Sequence, residues 1–263
     1  MSTLSYAASD SATMLRRNLR HAIRYPSLTL SVAGMPLIFL LLFVYVFGGA
    51  MGAGIGGMGG GRTQYLSYIT PGIVLMTLAS GSITTSVAVC VDMTGGIIDR
   101  FRTMAISRAS LLTGHVIGSV ITTMFSTALV LGVAVALGFR PDAGPLEWVA
   151  AAGVLTMVTF ALTWLSVAFG VFAKSPESAS NLPLPLSLLP MMGSGFVPTD
   201  SMPSGLRWFA EYQPFTPMIE TLRGLLTGTA IGHSAAVSVA WSAGIALVGY
   251  AWAKTRFNRA RTH

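Results

Sequence analysis

Long apolar runs separated by short polar stretches make up most of the chain. A helix needs about 20 mostly apolar residues to cross the hydrocarbon core of a bilayer. Runs of this length lie at roughly 28–47, 68–91, 116–138, 148–172, 179–197 and 234–253. The pattern predicts an all-α polytopic membrane protein that forms a single domain over 1–263. In it, 28–253 would hold six transmembrane helices between a cytoplasmic segment (1–27) and a basic cytoplasmic tail (254–263).

The fifth run differs from the others because it contains Pro183, Pro185 and Pro190. Proline inside a helix removes a backbone hydrogen bond, and its ring clashes with the preceding turn. Neighbouring groups must then satisfy the freed backbone groups if the segment lies in a membrane. We therefore predict that 179–197 is kinked or broken.

The composition is typical of a membrane protein, and it excludes a disulfide within the chain and a cysteine-based metal site. The chain is 52% hydrophobic and 10% charged, whereas soluble domains carry about 25% charged residues. None of the polar stretches is long enough to build a soluble domain of its own. With Cys90 as the one cysteine, the chain can form neither an internal disulfide nor a cysteine-based metal site.

The basic residues lie mostly on one side of the predicted membrane. Twelve of the 16 Lys and Arg residues fall in 1–27, 92–115, 173–178 and 254–263. Cytoplasmic loops collect Lys and Arg, so we expect both termini in the cytoplasm. The formal net charge of +7 then reflects orientation rather than nucleic acid binding. Because the proteins of the bacterial outer membrane are β-barrels, the helical spans predict that this protein lies in the bacterial cytoplasmic membrane.

Two polar segments on the cytoplasmic side have helical periodicity. In 11–24, Arg16 and Arg20 lie on one face and Leu15 and Leu19 on another, which predicts an amphipathic helix on the inner membrane surface. A plain basic anchor explains that segment equally well. The second segment, 97–105, would form only two to three turns, too short to be stable alone in water. It needs a surface on which to dock, either the bilayer or a groove in a partner protein. Its candidate contact residues are Ile97, Ile98, Asp99, Arg100, Phe101, Arg102 and Met104.

On the opposite side, 198–233 is rich in aromatic residues and proline. Its part 217–226 is amphipathic, and Pro217 suits the first position of a helix. This pattern predicts an interfacial or re-entrant helix near the outer leaflet, with a packed external cap as the alternative.

Small hydroxyl residues recur in the second and third apolar runs. Such residues let helices approach closely and hydrogen-bond to each other, so packing is the favoured interpretation. The alternative is that they line a path through the membrane. The candidate path residues are Thr77, Ser80, Thr84, Pro183, Pro185 and Pro190.

The sequence lacks the motifs of a self-powered transporter. A phosphate-binding loop requires GxxxxGK[ST], and Lys254-Thr255 has Ala253 and Val248 where that motif has glycines. The central parts of the six runs contain no Asp, Glu, Lys, Arg or His, which proton-coupled carriers usually need at membrane depth. Asp92 and His115, at helix ends, are interpreted as interfacial charges. Any active transport should therefore take its energy from another chain.

A resemblance to a known family rests on three stretches. They are GGIIDRFRTMAISRASLLTGHVIG (95–118), NLRHAIRYP (18–26) and GSGFVPTDSMPSGLRWFAEYQPFTPMIETLRGLLTG (193–228). Together they resemble the permeases of type-2 ABC exporters, and among these the bacterial subfamily of daunorubicin-resistance permeases. Such permeases often carry proline where this chain has Ala105.

The resemblance implies a complex rather than a single chain. Two permeases, identical or related, would bind two ATPase subunits that hold ATP and Mg, with no cofactor on this chain. Residues 97–105 would be the coupling helix that contacts the ATPase. A pair of short external helices would close an outer gate, with candidate residues Phe196, Pro198, Pro214, Phe215, Pro217 and Glu220.

The function predicted from the sequence is the permease subunit of an ATP-driven exporter for a hydrophobic or amphipathic cargo (a drug, polyketide, lipid or glycan). Membrane lipids are expected partners, and nucleic acid is not. One alternative is a channel or facilitator that works without an ATPase. A weaker alternative is an intramembrane serine hydrolase built on Ser194, which would need a base within reach.

Overall fold

The computed structural model describes residues 26–50, 61–95 and 108–259. Within these ranges every regular element is a helix. The long helices are α1 (Pro26–Leu42, continued by a π-helical turn at Phe43–Phe47), α2 (Arg62–Thr94), α3 (Arg108–Ala136), α4 (Pro145–Phe172) and α9 (Ser234–Arg259). The shorter ones are α5 (Pro176–Asn181), α6 (Leu184–Leu188), α7 (Ser204–Tyr212) and α8 (Phe215–Thr227), with 3-10 turns at Leu189–Met192 and Thr199–Ser201.

Among the described residues, five helical stretches are long and apolar enough to cross a membrane: Leu30–Ala50, Arg62–Thr94, Thr113–Ala136, Pro145–Phe172 and Ser234–Arg256. They coincide with five of the six predicted runs. The all-α, multi-pass architecture predicted from the sequence is therefore confirmed.

The sixth predicted run, 179–197, is not one continuous helix. It passes through the end of α5, through α6 and through the 3-10 turn at Leu189–Met192 before it reaches an irregular turn. Pro183 lies at the N-terminus of α6, and Pro190 lies in the 3-10 turn. The predicted break is confirmed, while a total of six spans stays a prediction.

Helix α2 occupies the centre of the described fold. The most apolar part of α2 is 72% buried, against 17% for α9 and 28% for the first span. Its side chains Ile69, Ile73 and Val74 are fully enclosed. They belong to an apolar core that also includes residues of α1, α3, α4 and α8. A displacement of α2 would therefore disturb most of the fold.

Glycine allows the closest helix contacts. A Cβ atom on Gly249 of α9 would lie 2.6 Å from the backbone nitrogen of Leu165 in α4. A Cβ atom on Gly170 of α4 would lie 2.6 Å from the carbonyl oxygen of Ser86 in α2. Small residues at helix crossings are typical of membrane proteins, in which close van der Waals packing drives association. These two contacts hold α9, α4 and α2 together.

Two sequence predictions lie outside the described residues. They are the amphipathic helix over 11–24 and the coupling segment over 97–105, together with all of its candidate contact residues. Both stay predictions.

Candidate functional site

The irregular segment 193–197, which follows the broken helix, lies directly against α2. A Cβ atom on Gly72 of α2 would lie 2.6 Å from the carbonyl oxygen of Gly195 and 2.7 Å from its Cα atom. A Cβ atom on Gly195 would in turn lie 2.6 Å from the carbonyl oxygen of Pro190. The two backbones can approach this closely only because neither glycine carries a side chain. We call the contact of 193–197 with α2 and α8 the outer junction.

Arg223 of α8 holds the outer junction together. It is only 8% exposed. Its Nη2 donates hydrogen bonds to the carbonyl oxygens of Ser194 (2.6 Å) and Tyr68 (3.2 Å). Its Nη1 donates to the carboxylate of Glu220, one turn earlier in α8. The guanidinium also lies 4.0 Å from the centre of the Tyr68 ring. One side chain thus connects three parts of the chain that are distant in sequence.

The chemistry of Arg223 suits this position. Guanidinium presents several N–H donors in a fixed plane and stacks on aromatic rings, which ammonium does less well. A buried charge also needs a partner of opposite sign, and Glu220 supplies it. In the sequence, Arg223 is one of the four basic residues outside the predicted cytoplasmic segments, and the charge pattern predicts no further role for it. The signal that could have identified it is the Glu-to-Arg spacing of three residues within an apolar helix.

Two other buried polar side chains lie in the outer junction, Ser194 on the segment that Arg223 contacts and Gln213 against Gly193. Gln213 is 5% and Ser194 is 3% exposed. Neither the Gln213 amide nor the Ser194 hydroxyl has a hydrogen-bond partner among the described residues. Gly193 faces the Gln213 amide so closely that a side chain on Gly193 would overlap it. Buried polar groups without partners raise the free energy of the packed state, so this part of the outer junction is less stable than its apolar surroundings.

Aromatic packing completes the outer junction. The Phe196 ring lies 4.8 Å from that of Phe43, at the end of α1. Phe196 and Phe215 are both buried and belong to the same apolar core. Pro217 is buried in α8, whereas Pro198 and Pro214 are half-buried. The structure therefore brings the predicted gate residues into one region, around an arginine that the sequence prediction left out.

Helix α7 is the exposed amphipathic element of the external segment. Only Ala210 of α7 is buried. The rings of Trp208 and Tyr212 stack 5.5 Å apart on one exposed face. On another face, Arg207 forms ion pairs with Asp200 and Glu211, and the hydrogen bond that Arg207 donates to the Glu211 carboxylate raises the pKa of Arg207. An aromatic face beside a charged face is typical of a helix at a membrane surface.

The predicted amphipathic stretch at 217–226 has a different environment. It forms most of α8, which contacts α2, α4 and α9, and most of its side chains are buried. The structure thus places this stretch as a packed element. The Thr216 hydroxyl donates a hydrogen bond to the Ala210 carbonyl and so connects α8 to α7.

Two of the three candidate path residues of α2 donate hydrogen bonds to the backbone of their own helix. The Thr77 hydroxyl is fully buried and donates to the Ile73 carbonyl at 2.9 Å, and the Ser80 hydroxyl donates to the Met76 carbonyl at 2.9 Å. Thr84 is half-buried. In the broken segment, Pro183 and Pro190 are buried and Pro185 is exposed. This placement fits helix packing, and a role in a path stays a prediction.

Close contact between α2 and α3 also favours packing. Gly81 of α2 faces Thr123 of α3 so closely that a Cβ atom on Gly81 would overlap the Thr123 hydroxyl. The Thr127 hydroxyl donates to the Thr123 carbonyl within α3. These small residues therefore bring the two helices together.

A mostly apolar cavity of about 150 Å³ lies among α2, α3, α4 and α8. Its walls include Val74, Met124, Trp148, Leu155 and Leu222. Leu222 is adjacent to Arg223, so the cavity borders the helix that holds the outer junction.

Asp92 and His115 were interpreted separately from the sequence, but the structure pairs them. His115 Nε2 lies 2.9 Å from Asp92 Oδ2. The pair joins the end of α2 to α3. Their spacing of 23 residues gives no local signal of a contact.

The geometry gives no support to a serine hydrolase. Ser194 Oγ is buried and forms no hydrogen bond with a described histidine or carboxylate. His233, the histidine on the same predicted side, is exposed. A nucleophilic serine needs a base within hydrogen-bond distance.

Residues 11–227 match the family model described as "ABC-2 type transporter". The chain is 30% identical over 244 residues to the daunorubicin resistance ABC transporter permease protein DrrB1 of Streptomyces coeruleorubidus, covering 92% of this chain and 83% of that protein. It is 24% identical over 198 residues to the probable doxorubicin resistance ABC transporter permease protein DrrC of Mycobacterium tuberculosis. This match covers 75% of this chain and 72% of that protein. It is 29% identical over 195 residues to the inner membrane transport permease YadH of Escherichia coli, covering 72% of each chain.

Proposed function

This chain belongs to the ABC-2 type transporter family, and on that premise we propose that it forms the path by which a hydrophobic or amphipathic compound leaves a bacterial cell. The chain is the permease subunit of an ABC transporter, and its partner is an ATPase subunit. It is a transport subunit and not itself an enzyme. The match over residues 11–227, which includes the outer junction, carries this function.

The cargo class is inferred from the relatives and from the cavity. Two relatives are named for resistance to daunorubicin and doxorubicin. The cavity bordered by Val74 and Leu222 has mostly apolar walls, which suits the apolar part of such a compound better than an ion or a sugar. A drug-like or lipid-like cargo is the class that these two observations favour.

We place the protein in the cytoplasmic membrane with both termini inside. The basic residues of 1–27 and 254–263 support this orientation. Near the end of α9, Arg256 lies 4.9 Å from the centre of the Phe172 ring, and Trp252 packs on Phe169 and Phe172. Aromatic rings and cations at a helix end are typical of a membrane–water interface.

The coupling segment 97–105 would bind the ATPase partner, which holds ATP and Mg. Helix α2 ends at Thr94 and α3 begins at Arg108, so this segment connects the central helix of the fold to its neighbour. Movement of the partner would therefore reach α2 directly. A full transporter would contain two ATPase subunits and a second permease, identical to this chain or related to it.

The outer junction would act as the outer gate. Arg223 holds 193–197 against α2. The buried Gln213 amide next to Gly193 has no hydrogen-bond partner among the described residues, which makes the packed state less favourable. A gate needs both properties, a specific closed arrangement and a closed state that can be opened. Of the six predicted gate residues, Phe215, Pro217 and Glu220 lie in α8 and Pro214 directly precedes it. Phe196 lies in the irregular segment, and Pro198 directly follows it.

Transport assays with the reconstituted complex test this function. The permease and the ATPase subunit encoded nearest to it, identified by its Walker motifs, are purified together and placed in liposomes. We expect uptake of daunorubicin that requires ATP and stops when the ATPase subunit is omitted. The permease alone should hydrolyse no ATP. Transport by the permease alone, without ATP and driven by a pH step, would favour the channel or facilitator instead.

A further inference from the structure

Asp92 and His115 form a nearly enclosed contact where α2 and α3 approach the segment between them. The Nε2 atom of His115 lies 2.9 Å from Oδ2 of Asp92, and the two side chains are 9% and 16% exposed. Asp92 comes two residues before the end of α2 at Thr94. The pair therefore lies at the base of the connection that contains 97–105.

Helix stability alone does not explain an acid at this position. The C-terminal end of a helix carries partial negative charge, which disfavours a carboxylate in the last turn. The last turn of α2 contains no basic residue that could offset this effect. A hydrogen-bond partner for the Asp92 carboxylate comes instead from α3, in the form of His115. The pair thus stabilises the contact between two helices rather than either helix by itself.

A tightly packed cluster lies next to the pair. It contains Val89 of α2, Val116 of α3, Val167 and Ala168 of α4 and Ala253 of α9, each at most 2% exposed. Val116 directly follows His115, and Val89 lies one turn before Asp92. Protein interiors packed at this density resist deformation and transmit displacement. A movement of the pair would therefore pass into four long helices.

We propose that Asp92 and His115 are positioning residues that make the ends of α2 and α3 move as one unit when the ATPase partner moves the coupling segment 97–105. We call this pair the clasp. It touches neither nucleotide nor cargo. Its effect is on the efficiency with which ATP hydrolysis is converted into transport. The inference rests on the proposed function, in which 97–105 binds the ATPase subunit.

The experiment measures cargo transported per ATP hydrolysed by the full permease–ATPase complex in liposomes. The variants are Asp92→Ala, His115→Ala and the double variant. We expect each single variant to lower the ratio by about fivefold or more, the range of ordinary coupling between sites. The double variant should be no worse than Asp92→Ala alone, because Asp92→Ala already removes the contact with His115. Co-purification of the ATPase subunit should stay at the wild-type level.

A second double variant keeps the test valid if the alanine variants fold poorly. In Asp92→Leu/His115→Phe, apolar groups replace both partners, a change that leaves stability nearly unaffected in many buried pairs. This variant should fold normally and still show the low ratio. The matched control is Glu211→Ala, which breaks the exposed ion pair with Arg207 in α7. The control should keep the wild-type ratio.

Several results would overturn the clasp. One is a wild-type ratio in the doubly apolar variant. Another is a double variant in which the effects of the two single variants add. A third is a lower yield of folded complex at an unchanged ratio, because the pair would then serve folding alone. If the wild-type permease binds no ATPase subunit, the proposed function itself fails, and the clasp fails with it.

Discussion

At the scale of single residues, Arg223 has the largest set of contacts in the outer junction. It neutralises Glu220 and bonds to two main-chain carbonyls, Tyr68 and Ser194, that belong to other elements. The carbonyl of Ser194 belongs to an irregular segment, in which a regular helical partner is not available. Removal of the arginine would leave buried polar groups without partners, which costs more than the loss of an exposed ion pair.

We expect Arg223→Met to lower the free energy of unfolding by about 3 kcal/mol, as when one partner of a buried pair is removed. Thermal unfolding in detergent measures this effect. The control is Arg207→Met, which removes an exposed arginine from α7 and should lower the free energy of unfolding much less. Equal losses of stability in the two variants would contradict the role given to Arg223.

At the scale of elements, contacts between backbones decide how the broken segment is held. A Cβ atom on Gly72 would lie 2.6 Å from the Gly195 carbonyl, and neither backbone can move aside as a flexible side chain would. With a side chain at position 72, segment 193–197 would have to move away from α2. The hydrogen bond from Arg223 to the Ser194 carbonyl would then lengthen. The close contact in the outer junction therefore requires a glycine at position 72.

Gly72→Ala should accordingly destabilise the protein by about 1–3 kcal/mol, the usual cost of overpacking. It should also increase passive leakage of cargo if the outer junction is the gate. Gly132→Ala in α3 is the control, because no atom lies within 4 Å of the added Cβ position. The measurements are thermal unfolding and leakage from cargo-loaded liposomes. A Gly72→Ala variant as stable and as tight as Gly132→Ala would show that the backbone contact is not needed.

The coupling segment provides a second prediction at this scale. Phe101 is its largest apolar residue, and Ile98 lies one turn before it. If this face docks in a groove of the ATPase, Phe101→Ala should weaken association by about 2 kcal/mol or more, as for other buried aromatic anchors. Arg100→Glu should weaken it further if the groove has an acidic rim, and this effect should shrink at high salt.

Co-purification of the two subunits measures this effect, together with ATP-dependent transport. The matched control is Phe125→Ala, because Phe125 is 67% exposed on the membrane-spanning helix α3. Folding and membrane insertion should be unchanged in both variants. Wild-type association and transport in Phe101→Ala would mean that 97–105 lies on the lipid surface and does not bind the partner.

At the scale of the whole molecule, the orientation in the membrane determines which end meets the ATPase. The basic residues predict that both termini and the loops 92–115 and 173–178 face the cytoplasm. The outer junction and α7 would then face outward. The central position of α2 connects the two sides, since α2 carries Asp92 near one end and Gly72 nearer the other.

A cysteine at Ser110, introduced after Cys90 has been replaced, tests this orientation. Impermeant maleimide should label it only after the membrane is opened, whereas a cysteine at Ser204 in α7 should react in intact cells. Labelling of the Ser110 position from outside alone would reverse the assigned topology. Reaction of both positions in intact cells would also contradict it.

The sequence by itself determined the class of fold, the five long helices and the break at the prolines. These features follow from local rules: a chain in lipid must satisfy its backbone hydrogen bonds within a helix, and proline cannot do so. The three family-like stretches also predicted the transporter family, which the match over 11–227 confirms.

Only the tertiary structure decided which residues meet. Arg223 contacts the carbonyl of a residue 155 positions away and that of another 29 positions away, and Asp92 meets His115 across two helices. It also placed 217–226 inside the fold and left α7 as the exposed helix. Periodicity indicates that a face is apolar, but lipid and protein both cover apolar faces. The choice between them depends on the packing of all the helices at once, because no single segment carries that information.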